Sequence, residues 1–316
     1  MKLKDIVKQK QYLCGGHRMC AGCGAPIAVR QILAAAPPEV ELVIMNPTGC
    51  FEVSSTIYPY TAWKASYIHN AFENAASTIS GVESAYRSLR KQGKLDKEYR
   101  FIVFGGDGGT YDIGFQALSG ALERGHDMIY VCYNNEAYMN TGTQRSGATS
   151  FGSWTTTSPV GEESFGKPQY RKDLTAIVAA HNIPYTAQAS ISHWRDLNRK
   201  AVRAFNTRGP SFLNVLTPCH RGWRYPMENT VQLARLAVQS CTWPIYEVVN
   251  GNEWKVNYTP KNKKSVLEYI ESQGRFAHLV KDERNIEYLE QLQQFVDEQW
   301  EILLKRSEPN KEKKTL

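Results

Sequence analysis

The chain has 316 residues, of which 42% are hydrophobic and 22% charged, with a net charge of +7. This composition excludes a disordered, collagen-like or coiled-coil chain. The mean hydropathy is −0.46, and no apolar run approaches the ~18 residues of a membrane span. Residues 1–5 carry charges without the apolar segment of a signal peptide, so we expect a cytoplasmic protein with no membrane partner. Basic and aromatic residues do not interleave in a stripe, which argues against a nucleic-acid partner.

In chain order, the pattern alternates between short apolar strands and amphipathic helices. Strands are predicted over 40–45, 100–104, 128–133, 185–189 and 211–217. Helices are predicted over 24–35, 70–90, 113–124, 174–181, 194–205, 229–238, 264–272 and 283–305. The clearest unit is a strand, the glycine-rich loop 105–109, a helix and a second strand, which implies a parallel sheet.

The predicted fold class is α/β, with an open, mostly parallel sheet that has helices on both faces. We expect the α/β domain to span residues 1–228, because the pattern loosens after Cys219. Residues 229–316 are expected to form a mainly helical extension with a charged tail. Residues 139–170 are rich in Gly, Thr and Ser, and a loop of that length in a compact domain is usually functional.

Seven cysteines, an odd number in a chain expected to be cytosolic, argue against a disulfide framework. Four of them lie in predicted loops next to Gly or Pro: Cys20, Cys23, Cys50 and Cys219. This set suits a site with four thiolates, in which small neighbours let backbone N–H groups turn toward sulfur. Spacing alone leaves an iron–sulfur cluster, a structural zinc site and a thioredoxin-like redox pair open.

A second pattern lies where two neighbouring strands end. Gly106-Asp-Gly-Gly109 separates a strand from a helix, and Asn135 follows the next strand 28 positions after Asp107. It is not a Walker A loop, and Tyr111 takes the place of the third glycine of a dinucleotide fingerprint. Adjacent parallel strands end at one edge of the sheet, where α/β proteins bind ligands. The side chains of Asp107 and Asn135, with the carbonyl of Ala137, are hard oxygen ligands for Mg²⁺ beside a diphosphate, as in the thiamine-diphosphate motif.

With both sites, the chain resembles the β subunit of pyruvate:ferredoxin oxidoreductase and its 2-oxoacid relatives. The resemblance runs from about Gly16 to about Leu279. The matching stretches are 16–24, 48–50, 69–74, 105–114, 116–120, 133–142 and 222–225.

The resemblance implies a thiamine-diphosphate-binding fold with three cofactors: thiamine diphosphate, Mg²⁺ and one [4Fe–4S] cluster. The cluster ligands implied are Cys20, Cys23, Cys50 and Cys219, and the Mg²⁺ ligands are Asp107, Asn135 and the Ala137 carbonyl. Further cofactor contacts are implied for Gly24, Gly49, Gly106, Gly108, Gly109 and Asn140. Asn140 is also the implied catalytic residue, since it matches an asparagine that positions the substrate by hydrogen bonding.

The implied activity is oxidative decarboxylation of a 2-oxoacid, with pyruvate the first choice, to acetyl-CoA and CO2. Electrons pass one at a time to the cluster and then to ferredoxin. The implied partners are α and γ subunits, a δ subunit or fused ferredoxin-like domain, ferredoxin, the 2-oxoacid and coenzyme A. A neighbouring α subunit is expected to supply the carboxylate that activates the thiamine aminopyrimidine.

His220-Arg221 stand where many pyruvate-type chains carry Pro-Thr. This departure keeps a coenzyme-A-independent oxalate oxidoreductase open, beside enzymes for 2-oxoglutarate or branched-chain acids. Two alternatives of other classes are a non-redox thiamine enzyme with a structural zinc ion and a zinc-stabilised interaction module.

Overall fold

The central element is one eight-stranded sheet in the computed structural model, which describes residues 3–308. Its strands are β1 (Glu41–Pro47), β2 (Ser66–Asn70), β3 (Tyr99–Gly106), β4 (Ile129–Asn134), β5 (Tyr185–Ser190), β6 (Ser211–Leu216), β7 (Tyr246–Val249) and β8 (Glu253–Val256). Their order across the sheet is β2-β1-β3-β4-β6-β5-β7-β8. The first six in this order run parallel, and β7 and β8 are added antiparallel.

The central strands of the sheet are buried on both faces, as expected for a parallel sheet with crossover helices. Along β3, Ile102 and Phe104 pack into one apolar cluster, whereas Phe101 and Val103 pack into the cluster on the opposite face. This alternation follows from the two-residue period of a strand. The predicted fold class, a mostly parallel open sheet with helices on both faces, is therefore confirmed.

The helices cover these two faces and extend the chain beyond the sheet. They are α1 (Leu3–Ile6), α2 (Gly24–Leu33), α3 (Cys50–Ser55), α4 (Ala75–Lys91), α5 (Phe115–Glu123), α6 (Leu174–Ala179), α7 (Trp194–Asn206), α8 (His220–Trp223), α9 (Thr230–Gln239), α10 (Val266–Ile270), α11 (Ala277–Lys281) and α12 (Ile286–Ser307). A π-helical turn lies at Gly109–Ile113, and 3-10 turns lie at Met227–Asn229, Gly274–Phe276 and Glu283–Asn285. Helices α2 and α7 cover the first face, and α4 and α5 cover the second. Within residues 3–308, no helix is long and apolar enough to cross a bilayer.

Three predicted boundaries were wrong. The helix predicted from residue 70 begins at Ala75, because Ser66–Asn70 form the half-exposed edge strand β2. The predicted loop 105–109 is shorter, since Gly105 and Gly106 still pair with β4. The helix predicted over 113–124 begins as a π-turn at Gly109 and becomes α-helical only at Phe115.

The segment after residue 228 contains two strands that the sequence analysis missed. β7 pairs with β5, and β8 pairs with β7, so the chain beyond 228 extends the same sheet. The predicted long helix at 283–305 is present as α12, after a 3-10 turn. The helix predicted over 264–272 is limited to α10. The division into domains at residue 228 stays a prediction.

The sheet brings four loops to one edge. β1, β3, β4 and β6 are adjacent and parallel, so their carboxyl ends lie side by side. The residues that follow these ends are Cys50, Asp107, Asn135 and Cys219. Open α/β sheets bind ligands at this edge.

Candidate active site

Three predicted oxygen ligands meet at the ends of β3 and β4. One terminal atom of the Asn135 amide lies 3.0 Å from Asp107 Oδ1 and 2.9 Å from the carbonyl oxygen of Ala137. As nitrogen, this atom donates to both acceptors; as oxygen, it completes a triangle of three oxygens. The amide of Asn135 can therefore serve either as an internal hydrogen-bond donor or as a third cation ligand.

Asp107 is held in place by donors while it is almost fully buried. Its Oδ2 accepts a 2.6 Å hydrogen bond from the Ser146 hydroxyl, and its Oδ1 accepts a 3.1 Å bond from the backbone N–H of Asn135. Burial raises the pKa of Asp107 to about 7, although both hydrogen bonds act to lower it. A cation at this carboxylate would compensate the buried negative charge.

The glycine-rich loop at residues 106–109 packs closely against neighbouring side chains. A Cβ on Gly108 would lie 2.4–2.6 Å from the ring of Tyr138, whose hydroxyl donates to the Gly108 carbonyl over 2.7 Å. Thr110 lies in the π-turn, and its hydroxyl donates back to the carbonyl of Gly106 over 2.7 Å. π-turns of this kind are frequent at functional sites. The lack of a side chain at Gly108 thus makes room for the ring of Tyr138.

The first two cysteines lie in a turn before α2. The backbone N–H of Cys23 donates to the carbonyl of Cys20 over 3.1 Å. A Cβ on Gly24 would lie 2.8 Å from the backbone of Thr217, so only glycine allows this close approach. The contact brings the Cys20–Cys23 turn against the loop that carries Cys219.

The other two cysteines lie at the start of short helices. Cys50 is the first residue of α3, and a Cβ on Gly49 before it would lie 2.6 Å from the Tyr133 hydroxyl. Cys219 precedes α8, and its sulfur accepts hydrogen bonds from the backbone N–H groups of Arg221 and Gly222. These donors come from α8 and not from the neighbouring Pro218, which has no backbone N–H.

The four thiols influence one another electrostatically. Burial, together with smaller contributions from the negative charges of Cys219 and Cys20, raises the pKa of Cys23 to about 12. Cys20 is exposed, and the other three are partly buried. Over residues 3–308, no three His, Cys, Asp or Glu side chains are spaced to hold one metal ion.

The remaining cysteines lie elsewhere. Cys132 is buried within β4 and Cys241 is buried after α9, whereas Cys14 is partly buried near the N-terminus. Cys132 belongs to the apolar core on the α4–α5 face, as its position in an apolar strand suggests.

One cleft joins the two constellations. Its walls include seven of the predicted diphosphate and magnesium residues, namely Gly106, Asp107, Gly108, Gly109, Asn135, Ala137 and Asn140. Gly49 and Cys50 line the same cleft from the thiol side. Asn140 is exposed at the cleft, while Gly24, Cys20, Cys23 and Cys219 do not line it. The cleft therefore touches the thiol set through Cys50.

A buried charge network beside the cleft was not anticipated. Glu136 Oε2 pairs with Arg275 Nη1 at 2.7 Å, and Glu136 Oε1 lies 3.6 Å from Arg171 Nη1. The Arg275 guanidinium lies 3.7 Å from the ring centre of Trp223. Sequence patterns give no signal for a buried arginine. Glu136, however, stands between the candidate ligands Asn135 and Ala137, and this position could have prompted a search for its charged partners.

The comparisons with known proteins agree with this geometry. Residues 47–215 match the family model described as the C-terminal TPP-binding domain of thiamine pyrophosphate enzymes. The chain is 52% identical to pyruvate synthase subunit PorB of Thermotoga maritima over 98% of this chain and 96% of that one. The chain belongs to the family of pyruvate synthase PorB subunits. The predicted kinship with 2-oxoacid:ferredoxin oxidoreductase β subunits is thereby confirmed, and with it the assignment as a thiamine-dependent oxidoreductase subunit.

Other family members show how far the likeness extends. PorB of Methanocaldococcus jannaschii is 49% identical over 93% of this chain and 97% of its own. Ketoisovalerate oxidoreductase subunit VorB of Pyrococcus furiosus is 41% identical over 98% and 97%. A solved 2-oxoglutarate:ferredoxin oxidoreductase from Magnetococcus marinus, 20% identical, matches 74% of this chain and 80% of its own with a TM-score of 0.55. This last likeness shows the shared fold.

Proposed function

We propose that the chain is the thiamine-diphosphate-binding catalytic subunit of a pyruvate:ferredoxin oxidoreductase that forms acetyl-CoA and CO2. The observation that carries this proposal is the single cleft lined by Asp107, Asn135 and Cys50. It opens to the oxygen ligands of a diphosphate-bound cation on one side and to a thiol of the cysteine set on the other. Relatives named pyruvate synthase, similar over nearly the whole chain, support pyruvate as the substrate.

The oxygen set fits Mg²⁺. In an octahedron with metal–oxygen bonds of about 2.0–2.1 Å, adjacent ligand oxygens lie roughly 3 Å apart. The Asn135 amide atom lies 3.0 Å from the carboxylate of Asp107 and 2.9 Å from the carbonyl of Ala137. These three ligands leave positions for diphosphate oxygens, so we assign Asp107, Asn135 and the Ala137 carbonyl to the ion.

The proposed activity favours a multi-iron cluster over zinc at the thiol set. Electrons must pass one at a time from the thiamine adduct to ferredoxin, and a zinc ion, which has no redox chemistry, cannot mediate this transfer. Backbone donors to Cys219 are of the kind that tune cluster potentials. We therefore assign one [4Fe–4S] cluster to the four cysteines Cys20, Cys23, Cys50 and Cys219.

Each cofactor would supply one kind of chemistry. Thiamine diphosphate supplies the electron sink for decarboxylation, and the cluster supplies a one-electron acceptor. The chain orients the diphosphate through the cation ligands and the backbone of Gly106, Gly108 and Gly109. Asn140, exposed at the cleft, is assigned to orient the substrate by donating a hydrogen bond from its amide. Gly24 and Gly49 are assigned to cofactor contacts because they are next to Cys23 and Cys50 in the sequence.

We further propose that the chain works in the cytoplasm within a complex of α, β and γ subunits and a ferredoxin-like component, with ferredoxin and coenzyme A as co-substrates. Tyr58 is 94% exposed and Tyr60 74% exposed, just after the helix that begins with Cys50. Large apolar side chains exposed together commonly mark a protein contact surface. Their position supports association of a partner subunit next to the thiol set.

The test is substrate-dependent bleaching of the visible iron–sulfur absorbance of the native complex, purified anaerobically. Pyruvate, 2-oxoglutarate and oxalate are each added with and without coenzyme A. We expect bleaching with pyruvate that becomes complete with coenzyme A. In the same assay, Asn140→Ala should slow bleaching and leave the iron content unchanged.

Two results would overturn the proposal. Bleaching by oxalate alone, indifferent to coenzyme A, would keep the family and change the substrate. A colourless complex containing zinc would remove the electron-transfer role of the cysteines.

A further inference from the structure

The buried charge network links three parts of the chain. Glu136 lies between the magnesium ligands, has a positive φ of 65°, and is 1% exposed. Arg171 follows the long loop, and Arg275 lies in the 3-10 turn before α11 and is 2% exposed. The carboxylate of Glu136 also accepts a 3.2 Å hydrogen bond from Ser150. A charge network so enclosed is sensitive to every charge placed nearby.

Trp223 connects this network to both proposed cofactor sites. Its indole N–H donates to the carbonyl of Asn135 over 2.7 Å, and its backbone N–H donates to the carbonyl of Cys219 over 2.9 Å. The guanidinium of Arg275 stacks on the same indole. The turn before α11 is in turn tied to the end of α8, because Gly274 N–H donates to the Arg224 carbonyl over 3.0 Å. Trp223 thus lies between the loop of Asn135, the loop that carries Cys219 and the buried charge of Arg275.

The network holds more positive than negative charge. Two guanidinium groups face one carboxylate, and three buried atoms lack a hydrogen-bond partner: Arg171 Nη1, Arg275 Nη2 and Glu136 Oε1. A buried charge without full compensation is costly unless an opposite charge lies close by. The surplus positive charge of Arg275 is separated from the Cys219 backbone only by Trp223, which stacks under the guanidinium and donates its backbone N–H to the Cys219 carbonyl.

We propose that Arg275 is a positioning residue whose buried charge raises the reduction potential of the cluster at Cys219, with Glu136 setting how much of that charge remains. The inference rests on the proposed function, because it needs the cluster to be present. Reduction adds one negative charge to the cluster, and a positive charge held nearby stabilises the reduced form. The carboxylate of Glu136 opposes this effect by partly neutralising the guanidinium.

The experiment is a redox titration of the intact anaerobic complex, followed by electron paramagnetic resonance of the reduced cluster. For Arg275→Gln we expect the equilibrium constant for one-electron reduction to fall about tenfold, a shift of ~59 mV to more negative potential. For Glu136→Gln we expect a shift of opposite sign, because the arginine charge is then uncompensated. A merely structural disturbance has no reason to produce opposite signs in the two variants.

Two further variants keep the test decisive if Arg275→Gln does not assemble. Arg275→Lys keeps the charge and should retain most of the wild-type potential. Arg224→Gln is the matched control, since Arg224 also stacks on a tryptophan, Trp154, at 3.8 Å but is exposed to water. Its removal should leave the potential unchanged, because solvent screens its charge.

Shifts of the same sign in the Arg275 and Glu136 variants, or no shift in either, would overturn the inference. So would a large shift in Arg275→Lys. A wild-type complex without any cluster signal would instead refute the proposed function.

Discussion

The oxygen site and the thiol site differ in how the fold positions them. Asp107 and Asn135 are buried and follow the neighbouring strands β3 and β4. The register of these strands pairs Gly106, one residue before Asp107, with Tyr133, two residues before Asn135. The thiols instead come from three distant parts of the chain, and they range from the exposed Cys20 to the partly buried Cys219. The oxygen ligands are thus aligned by a continuous hydrogen-bond ladder. Cys50 and Cys219 follow β1 and β6 of the same ladder, whereas Cys20 and Cys23 depend on loop contacts.

This difference indicates which site is formed in advance. Hydrogen bonds to Asp107 already hold its carboxylate in place. The cysteine turn at 20–23 is held by contacts with segments distant in the chain, such as the 2.6 Å bond from the Thr230 hydroxyl to the Gly22 carbonyl. We infer that the oxygen site is preorganised, and that the thiol site gains order when its ligands share a cluster.

The largest expected effect is that of Asp107→Asn. The amide keeps the shape of the side chain but removes the anionic cation ligand, so we expect loss of Mg²⁺ and thiamine diphosphate binding and at least a ~100-fold loss of activity. Stability should not fall, because burial already raises the pKa of Asp107 and the charged form is unfavourable without a cation. Calorimetric titration with thiamine diphosphate and Mg²⁺, together with thermal unfolding, measures both effects.

Asp112→Asn is the matched control for this substitution. Asp112 lies in the π-turn and pairs with Lys172 at 2.8 Å, outside the oxygen triangle. Its variant should bind thiamine diphosphate within a few-fold of the wild-type affinity. Unchanged binding by Asp107→Asn would show that the cation is held elsewhere.

The next effect separates the two sites. Cys219→Ser should abolish the cluster absorbance and most of the iron, because the hydroxyl is a poor substitute for thiolate. Thiamine diphosphate binding should survive, since Cys219 does not line the cleft. Iron analysis and calorimetric titration of the same anaerobic preparation measure the two properties.

Cys14→Ser is the control, because Cys14 is also partly buried and precedes Cys20 by only six positions. It should retain both iron and thiamine binding. If Cys219→Ser lost both cofactors, the two sites would form one cooperative unit, and the contrast between them would fail.

The same contrast explains what could be predicted from the sequence. The unit from β3 to β4 was predicted because strong apolar runs enclose a helix, and parallel pairing then places Asp107 near Asn135. The edge strand β2 was missed because Ser66–Asn70 are polar and half exposed. β7 was missed because it has only four residues and contains Glu247, whose charge is compensated by a 2.9 Å hydrogen bond from Tyr185.

Contacts between distant segments lay beyond sequence reasoning. Arg171 and Arg275 meet Glu136 only after the long loop and the C-terminal segment pack together, and isolated charges usually indicate exposed positions. The cysteine set was predicted from residue type and neighbours. How its members come together is a property of three separate segments of the chain and not of any one motif.

The smallest expected effect tests whether the oxygen site is preorganised electrostatically. The Ser146 hydroxyl lowers the pKa of Asp107 by donating to its ionised form, so Ser146→Ala should raise that pKa above its value of about 7. Mg²⁺ needs the ionised carboxylate, and protons therefore compete with it at pH values below the pKa. We expect Mg²⁺ affinity at pH 7 to fall several-fold in the variant, with the difference shrinking as the pH rises toward 9.

Titration of the complex with Mg²⁺ across pH 6–9 would measure this shift. Ser150→Ala is the matched control, because Ser150 lies in the same loop but donates to Glu136 instead of Asp107. A decrease in Ser146→Ala that is equal at every pH would mean that the hydroxyl acts by geometry alone. A decrease confined to neutral and acidic pH would show that the loop maintains the ionised carboxylate on which cation binding depends.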